Sequence, residues 1–480
     1  FSFAARFGPV LDSDGFDIVV TNPPWIRANR LERSERKLLK ARYGSFSNDL
    51  WEGADDLGIR VPFGAQVDVA ALFVERALEL LRPGGRLAAL LPAKLFRSLH
   101  GTGVRRLLAG HQPEVIRDYS DSERQMFEAT VYPAVLQVRK RESDAGGGRC
   151  GPSHRRAGSR SQTRSGKPFS VSIWDESQKQ EWRANLGDIL TLGRGVGEPW
   201  VFVPPEVREI FDGMRRESTP LGEIEALQPS RGMMTGRNKA FVHARDDVAS
   251  LLGGDLEEWS RPVLSGRDIR AWCADSEKRI LWAYDDSLTP REDLPAPLED
   301  YFAERAEGLR SRADYRESGP LWQLFRLKSG LLQPKVVWRD LAPRLEAAMA
   351  TEEVLPLNTV YFIPLERRLD AKATVALFNS EPMRAFAYAI GERARGSWRR
   401  HFAWVMRLLP VPDAFIRSLE GDGGGFDVVD RVPASGEPDA VARRRIDLWS
   451  SKLFGLEPEQ IDTLRGWRVG SAEEAHREAA

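Results

Sequence analysis

Apolar positions along this chain follow two rhythms, and they change near residue 170. Residues 16–21 (FDIVVT) form a short β-branched run that stops at Asn22-Pro23-Pro24, which predicts a buried strand halted by prolines. After a polar stretch, Val69, Leu72, Phe73, Ala77 and Leu80 fall at helical spacing and close on Arg82-Pro83-Gly84-Gly85, the pattern of an amphipathic helix with a stop. Residues 86–91 read as a second buried strand, 96–109 as a helix, and 115–119 and 131–139 as further strands. Strands alternating with helices predict a mostly parallel α/β sheet.

Residues 142–168 then lose all rhythm (ESDAGGGRCGPSHRRAGSRSQTRSGK to Lys167), which marks a Gly/Ser/Arg-rich linker. From Arg139 to Lys167 there are nine Lys or Arg against two acids. A solvated tether is the plain reading of this run, and a non-specific phosphate contact is the alternative. Beyond Phe169 come short strands, many turns and aromatic clusters, with helices near 205–216 and 370–391. The tail reads as helical over 438–453 and 458–467. The predicted organisation is therefore 1–141, a linker at 142–168, a second domain at 169–415 and a helical tail at 416–480.

Composition narrows the classes. In 480 residues, Lys plus Arg and Asp plus Glu both number 70, so attraction to a polyanion must come from local patches. The longest apolar stretch, 87–93, is far short of the roughly 20 residues that cross a bilayer, so a cytoplasmic chain without membrane partners is expected. Cys150 and Cys273 cannot build a disulfide framework, and the six histidines lack ligand spacing, so no metal site is expected. Residue 1 is Phe, which suggests an internal piece of a longer chain.

Candidate chemistry lies at Asn22-Pro23-Pro24-Trp25. An exocyclic amine conjugated to a ring is a poor nucleophile because its lone pair is delocalised. The Asn22 side-chain oxygen and the Pro23 carbonyl could each accept one of its N–H bonds and aim the lone pair at an electrophilic methyl group, with the prolines limiting backbone freedom. Trp25 offers an aromatic face for a planar substrate. A Pro-Pro bend that merely ends the strand is the alternative. Gly193, Gly195 and Gly197 lead into Glu198-Pro199-Trp200 rather than a helix, so a cofactor loop there is not expected.

These residues resemble the class I S-adenosylmethionine-dependent amino-methyltransferases, whose signature is Asn/Asp/Ser-Pro-Pro-aromatic after the fourth strand. FVERALELLRPGGRLAALLP is similar to the following helix, turn and strand of that family, and MFEATVYPAVLQV to the later segment. The resemblance makes Phe127 a second wall of the base pocket; from the bare sequence it is a core phenylalanine. Residues 221–242, 262–270, 333–340, 377–380 and RGSWRRHFAWVMRLLPVP resemble, in order, the target-recognition domain of Taq-type adenine methylases. The implied fold is α/β, the carboxyl-terminal portion of a Rossmann-like methyltransferase sheet followed by a mixed α/β target-recognition domain. The implied enzyme is a site-specific DNA adenine N6-methyltransferase of gamma arrangement, of restriction-modification or phage-exclusion (BREX) type. It would act on double-stranded DNA with base flipping, alongside subunits of such a system.

Arg30, Arg33, Arg231, Arg237, Lys239, Arg267, Arg270, Arg395, Arg399 and Arg400, with His401 beside them, are the candidate DNA contacts. The segment from Arg27 to Arg42 holds seven basic residues and is expected to be a mobile flap. In the gamma arrangement the glycine-rich cofactor loop precedes the Asn-Pro-Pro motif, yet only Gly8 and Gly15 do so here. The main S-adenosylmethionine motif is thus expected to lie outside this chain, leaving it inactive alone. A non-catalytic DNA-specificity module from a truncated or split gene is the alternative, and methylation of RNA or protein glutamine a third reading.

Overall fold

The computed structural model describes residues 3–46, 50–60, 67–120, 132–142, 170–175, 180–185, 195, 197–394, 398–421 and 436–478. The chain forms two compact units, Phe1–Ala54 with Arg60–Pro205, and Asp55–Ile59 with Glu206–Ala480.

The first unit is built on a six-stranded sheet. Helix α1 (Phe3–Asp12) leads into β1 (Phe16–Thr21), which pairs in parallel with β2 (Leu81–Pro92) after helices α2 (Arg33–Arg42) and α3 (Ala70–Leu80). Between Phe16↔Leu81 and Ile18↔Arg86 the register jumps, because Arg82 to Gly85 bulge out of the ladder. Gly84 can do this at φ +74, where a side chain would be strained. Short α4 (Lys94–Arg97) and α5 (Thr102–Ala109) follow, then β3 (Gln112–Asp118) and β4 (Pro133–Arg139). With β5 (Ser170–Asp175) and β6 (Gln180–Asn185), the strand order is β1-β2-β4-β3-β5-β6.

Four sequence expectations change here. The sheet is mixed: β1/β2 and β3/β5 are parallel, while β2/β4, β4/β3 and β5/β6 are antiparallel. β1 is an end strand of the described sheet rather than a buried one, and Ile18 and Val20 are 65% and 77% exposed. The helix expected over 96–109 breaks after Arg97, where the buried Arg105 guanidinium takes the carbonyls of Leu95 and Ser98, each at 2.8 Å, and that of Gly197 at 3.0 Å. The domain boundary moves from 168 to 205. β5 covers the open edge of β3, and Trp200 stacks on Phe96 within the same core, so backbone pairing outweighs the linker-like composition before it.

In the second unit, helix α6 (Pro205–Arg216) precedes two four-stranded sheets. Their strands in chain order are β7 (Ser230–Arg231), β8 (Val242–Ala244), β9 (Ser260–Leu264), β10 (Lys278–Leu281), β11 (Lys335–Arg339), β12 (Ala347–Ala350), β13 (Leu355–Pro356) and β14 (Val360–Pro364). One sheet has the order β13-β9-β10-β8, the other β12-β11-β14-β7. The stretch expected as one helix over 370–391 is two, α7 (Arg368–Asn379) and α8 (Glu381–Ile390), separated by Ser380 with Pro382 in the first turn of the second.

The tail is not a separate element. Helix α9 (Ala440–Phe454) is capped by the Asp439 side chain on Ala442 N and stopped by left-handed Gly455. Helix α10 (Pro458–Glu478) docks on α8 through a buried Arg468–Glu381 pair with two bonds of 2.6 and 2.8 Å. Among the described residues, no helix is long and apolar enough to cross a membrane.

Lys335 on β11 is fully buried and donates from Nζ to the carbonyls of Thr351 (2.6 Å) and Val354 (3.0 Å). Burial pushes its ammonium from 10.5 down to about 7. The unfolded chain keeps that proton to higher pH than the folded one, so the contribution of Lys335 to stability should rise with pH across that window. Urea midpoints taken at several pH values should show this rise flattened in Lys335→Met.

Candidate active site

The register Thr21↔Ala89 sets Asn22 at the carboxyl edge of the β1/β2 pair, where the chain turns away through the two prolines. Asn22 and Pro24 are exposed, Pro23 is buried, and Trp25 is half-buried against the core of the first unit. Two backbone bonds then catch the chain: Val69 N donates to Ile26 O at 2.8 Å and Ala28 N to Val67 O at 2.9 Å. Both ends of the Asn-Pro-Pro-Trp turn are thus fixed, one by the sheet and one by this bridge.

Asp68 sits inside the bridge, 1% exposed. Its Oδ1 accepts from Ala70 N at 3.1 Å at the start of α3, and its Oδ2 pairs with Lys94 Nζ at 2.8 Å just beyond the end of β2. His100 lies within reach of Arg27 and Lys94. Burial and then these two charges hold its imidazole below its usual value, so it is neutral at neutral pH. Arg27, bridged through its backbone to Asp68, and Lys94, ion-paired with it, thus set two cations against one carboxylate beside the turn.

Deeper at the same edge, Asp118 ends β3 fully buried and is ion-paired to buried Arg97, whose guanidinium lies 4.7 Å from the centre of the Phe202 ring. Asp118 also accepts from Ser120 N at 2.9 Å, and Ala93 N donates to Tyr132 O at 2.9 Å. These contacts brace the ends of β2, β3 and β4. Phe127, expected as the second stacking wall, lies outside the described residues, as do Cys150 and Arg395.

Among the expected DNA contacts, Arg30 and Arg33 are exposed at the entry to α2. The flap expected there is a helix tied down by the Arg42–Glu79 pair (3.1 and 2.9 Å) and by Leu39 packing on the core. In the second unit Arg237, Lys239, Arg267 and Arg270 are exposed. Arg399 is not: it is 1% exposed, its guanidinium 4.1 Å from the centre of the Tyr388 ring. His401 is fully buried, and burial with the nearby Arg399 and Arg339 charges pushes it down to about 3. Arg400 is half-exposed and pairs with Asp340 at 3.2 Å. Sequence reasoning missed Asp68, Lys94 and His100, which gain meaning only through contacts distant in sequence. No group of three or more His, Cys, Asp or Glu among the described residues could hold a metal ion.

Residues 1–127 match the family model described as Eco57I restriction-modification methylase. The chain is 24% identical over 476 residues to the Type II methyltransferase M.BstVI of Geobacillus stearothermophilus, covering 94% of this chain and 75% of that protein. It is 23% identical over 415 residues to the Type II methyltransferase M.PaeR7I of Pseudomonas aeruginosa, covering 83% and 64%. Among solved structures, the Type IIL restriction-modification enzyme MmeI in complex with DNA matches with a TM-score of 0.54 at 10% identity, over 95% of this chain and 57% of that one. The chain thus spans just over half of that structure and about two thirds to three quarters of these curated relatives. The fold is α/β and is similar to that of the MmeI enzyme.

Removing the Asp68 carboxylate deletes both the acceptor for Ala70 N and the partner of Lys94. Asp68→Ala should lower stability by about 1–3 kcal/mol. Asp68→Asn, which retains an acceptor for Ala70 N, should recover about 1 kcal/mol of that loss in thermal or urea unfolding.

Proposed function

We propose that this chain is the acceptor-binding and DNA-recognition part of a restriction-modification methylase that methylates N6 of adenine in double-stranded DNA. The observation that carries the reading is the exposed Asn22 beside buried Pro23, in a turn pinned at both ends on the carboxyl edge of a methyltransferase-type sheet. The names of the similar Type II methyltransferases support it.

In this reading the target adenine leaves the duplex, at a cost of about a few kcal/mol. The Asn22 side-chain oxygen and the Pro23 carbonyl accept the two amino hydrogens, turning the lone pair away from conjugation and toward the methyl donor. Trp25 and Phe127 would hold the base, and Arg27 would offset nearby phosphate charge while Lys94 stays paired with Asp68. Arg30, Arg33, Arg237, Lys239, Arg267, Arg270 and Arg400 remain candidate DNA contacts, whereas buried Arg399 serves the interior.

The donor would be S-adenosylmethionine. The residues of this chain do not by themselves fit it: of the glycines ahead of Asn22, Gly8 lies inside α1, and Gly15, at φ +110, is pressed against the backbone of Leu80 to Arg82. Neither forms a loop of open amides able to take the donor's carboxylate or ribose.

In the full-length enzyme, Asn22→Ala should lower methylation about 100- to 1000-fold, the range for losing one preorganised polar contact to the reacting group. Duplex affinity should be unchanged, and modification-sensitive sequencing should report N6-methyladenine at one site. Methylated cytosine instead would replace the adenine assignment, and full activity in the variant would remove Asn22 from the mechanism. Titrated into residues 1–480 alone, S-adenosylmethionine should give no saturable heat; tight one-to-one binding would show that the chain already holds the donor pocket.

A further inference from the structure

The second unit carries a cationic surface assembled from segments distant in sequence. On adjacent strands, Arg231 of β7 stands opposite Tyr361 of β14, with its guanidinium 5.9 Å from the ring centre and its Nε bonded to Asn358 O at 2.7 Å. Arg400 lies 5.1 Å from the centre of the Phe402 ring, and Phe402 in turn meets Tyr361 edge-on at 6.4 Å. Lys328 reaches Ser230 Oγ at 3.2 Å. Arg326 projects from the same segment in a left-handed backbone conformation, φ +61, which costs a non-glycine residue energy and is kept where surroundings demand it.

Like charge is concentrated here. Burial, then Arg407 and Arg326, hold the Lys328 ammonium below its usual value, and the fields of Arg231, Arg400 and Arg326 all reach the Tyr361 hydroxyl. Asp340 offsets Arg400, but among the described residues Arg231, Arg326 and Lys328 have no carboxylate within ion-pair distance. Behind the surface, buried Arg312 fastens the two supporting segments by donating to the carbonyls of Thr235, Leu321 and Gln323, each at 2.7 Å. Met234 and Phe325 also exchange backbone bonds of 2.9 and 2.8 Å.

We propose that Arg231, Arg326, Lys328 and Arg400 together grip the phosphate backbone of duplex DNA, on segments that Arg312 holds in place. The proposal rests on the DNA-methylase reading above and adds the residues that position the duplex. Exposed cations spread over two strands and a loop suit a repeating polyanion better than a small buried anion. A duplex fits better than a single strand, because Tyr361 is 5% exposed beneath the guanidiniums and offers no free face on which a base could stack.

The test is fluorescence anisotropy of residues 1–480 with a duplex of arbitrary sequence, at salt from about 50 to 300 mM. Arg326→Asn with Lys328→Gln removes two charges, and asparagine tolerates the left-handed backbone. The slope of log affinity against log salt should become shallower by about 1.8, or about 0.9 for each phosphate no longer neutralised. Arg444→Gln with Arg445→Gln, the same change in net charge on exposed α9, should leave the slope unaltered, and Arg326→Lys should retain it. An unchanged slope in the first variant, with wild-type binding intact, overturns this surface and leaves the methylase reading standing. Tighter binding to single strands overturns the duplex assignment, and no wild-type binding to any duplex at the lowest salt overturns both.

Discussion

The pair of backbone hydrogen bonds between Ile26–Ala28 and Val67–Val69 decides what the Asn-Pro-Pro-Trp turn can do. A strand end alone fixes only one side of a turn. With the bridge in place, Asn22 and the Pro23 carbonyl lie between two anchors, and the prolines remove most of the remaining torsional freedom. Asp68 completes the arrangement by linking the bridge to the first turn of α3 and, through Lys94, to the end of β2. Preorganisation here comes from simple parts, namely backbone amides, one buried carboxylate and ring-locked residues. Acceptors held this way would need little rearrangement to meet a pair of N–H donors.

Arginine has two separate uses in this molecule. Arg105, Arg312, Arg399 and Arg468 are buried, and each binds carbonyls, a carboxylate or an aromatic ring that the fold must hold together. A planar guanidinium with five donors suits that role, since it can satisfy several carbonyls at a chain crossing. Exposed arginines such as Arg231 and Arg326 keep most of their donors for solvent or a partner. Balanced total charge therefore conceals a division between cations committed to the interior and cations left to the surface.

Much of this was legible in the sequence and some was not. The limits of β1 and the Asn-Pro-Pro turn follow from local chemistry, because prolines end strands whatever lies around them. The break at Ser98, the split at Ser380 and the mixed sheet do not, since each depends on contacts far along the chain. The inward turn of Arg399 was half legible. Neighbouring residues on a strand face opposite ways, so Arg399 and Arg400 could not both line one surface, and the structure sends the first inward. Lys94 and Asp68 carry no such local mark.

The β3–β5 ladder has a consequence for how the gene can vary. Because those strands are joined side by side, the stretch between β4 and β5 need not hold the halves of the sheet together. Closing a longer connection between two strands costs only about 0.6 kcal/mol for each doubling of its length where that connection is flexible. An insertion between β4 and β5, by evolution or by an engineer, would leave that ladder, and with it the strand order of the sheet, to be held by pairing alone.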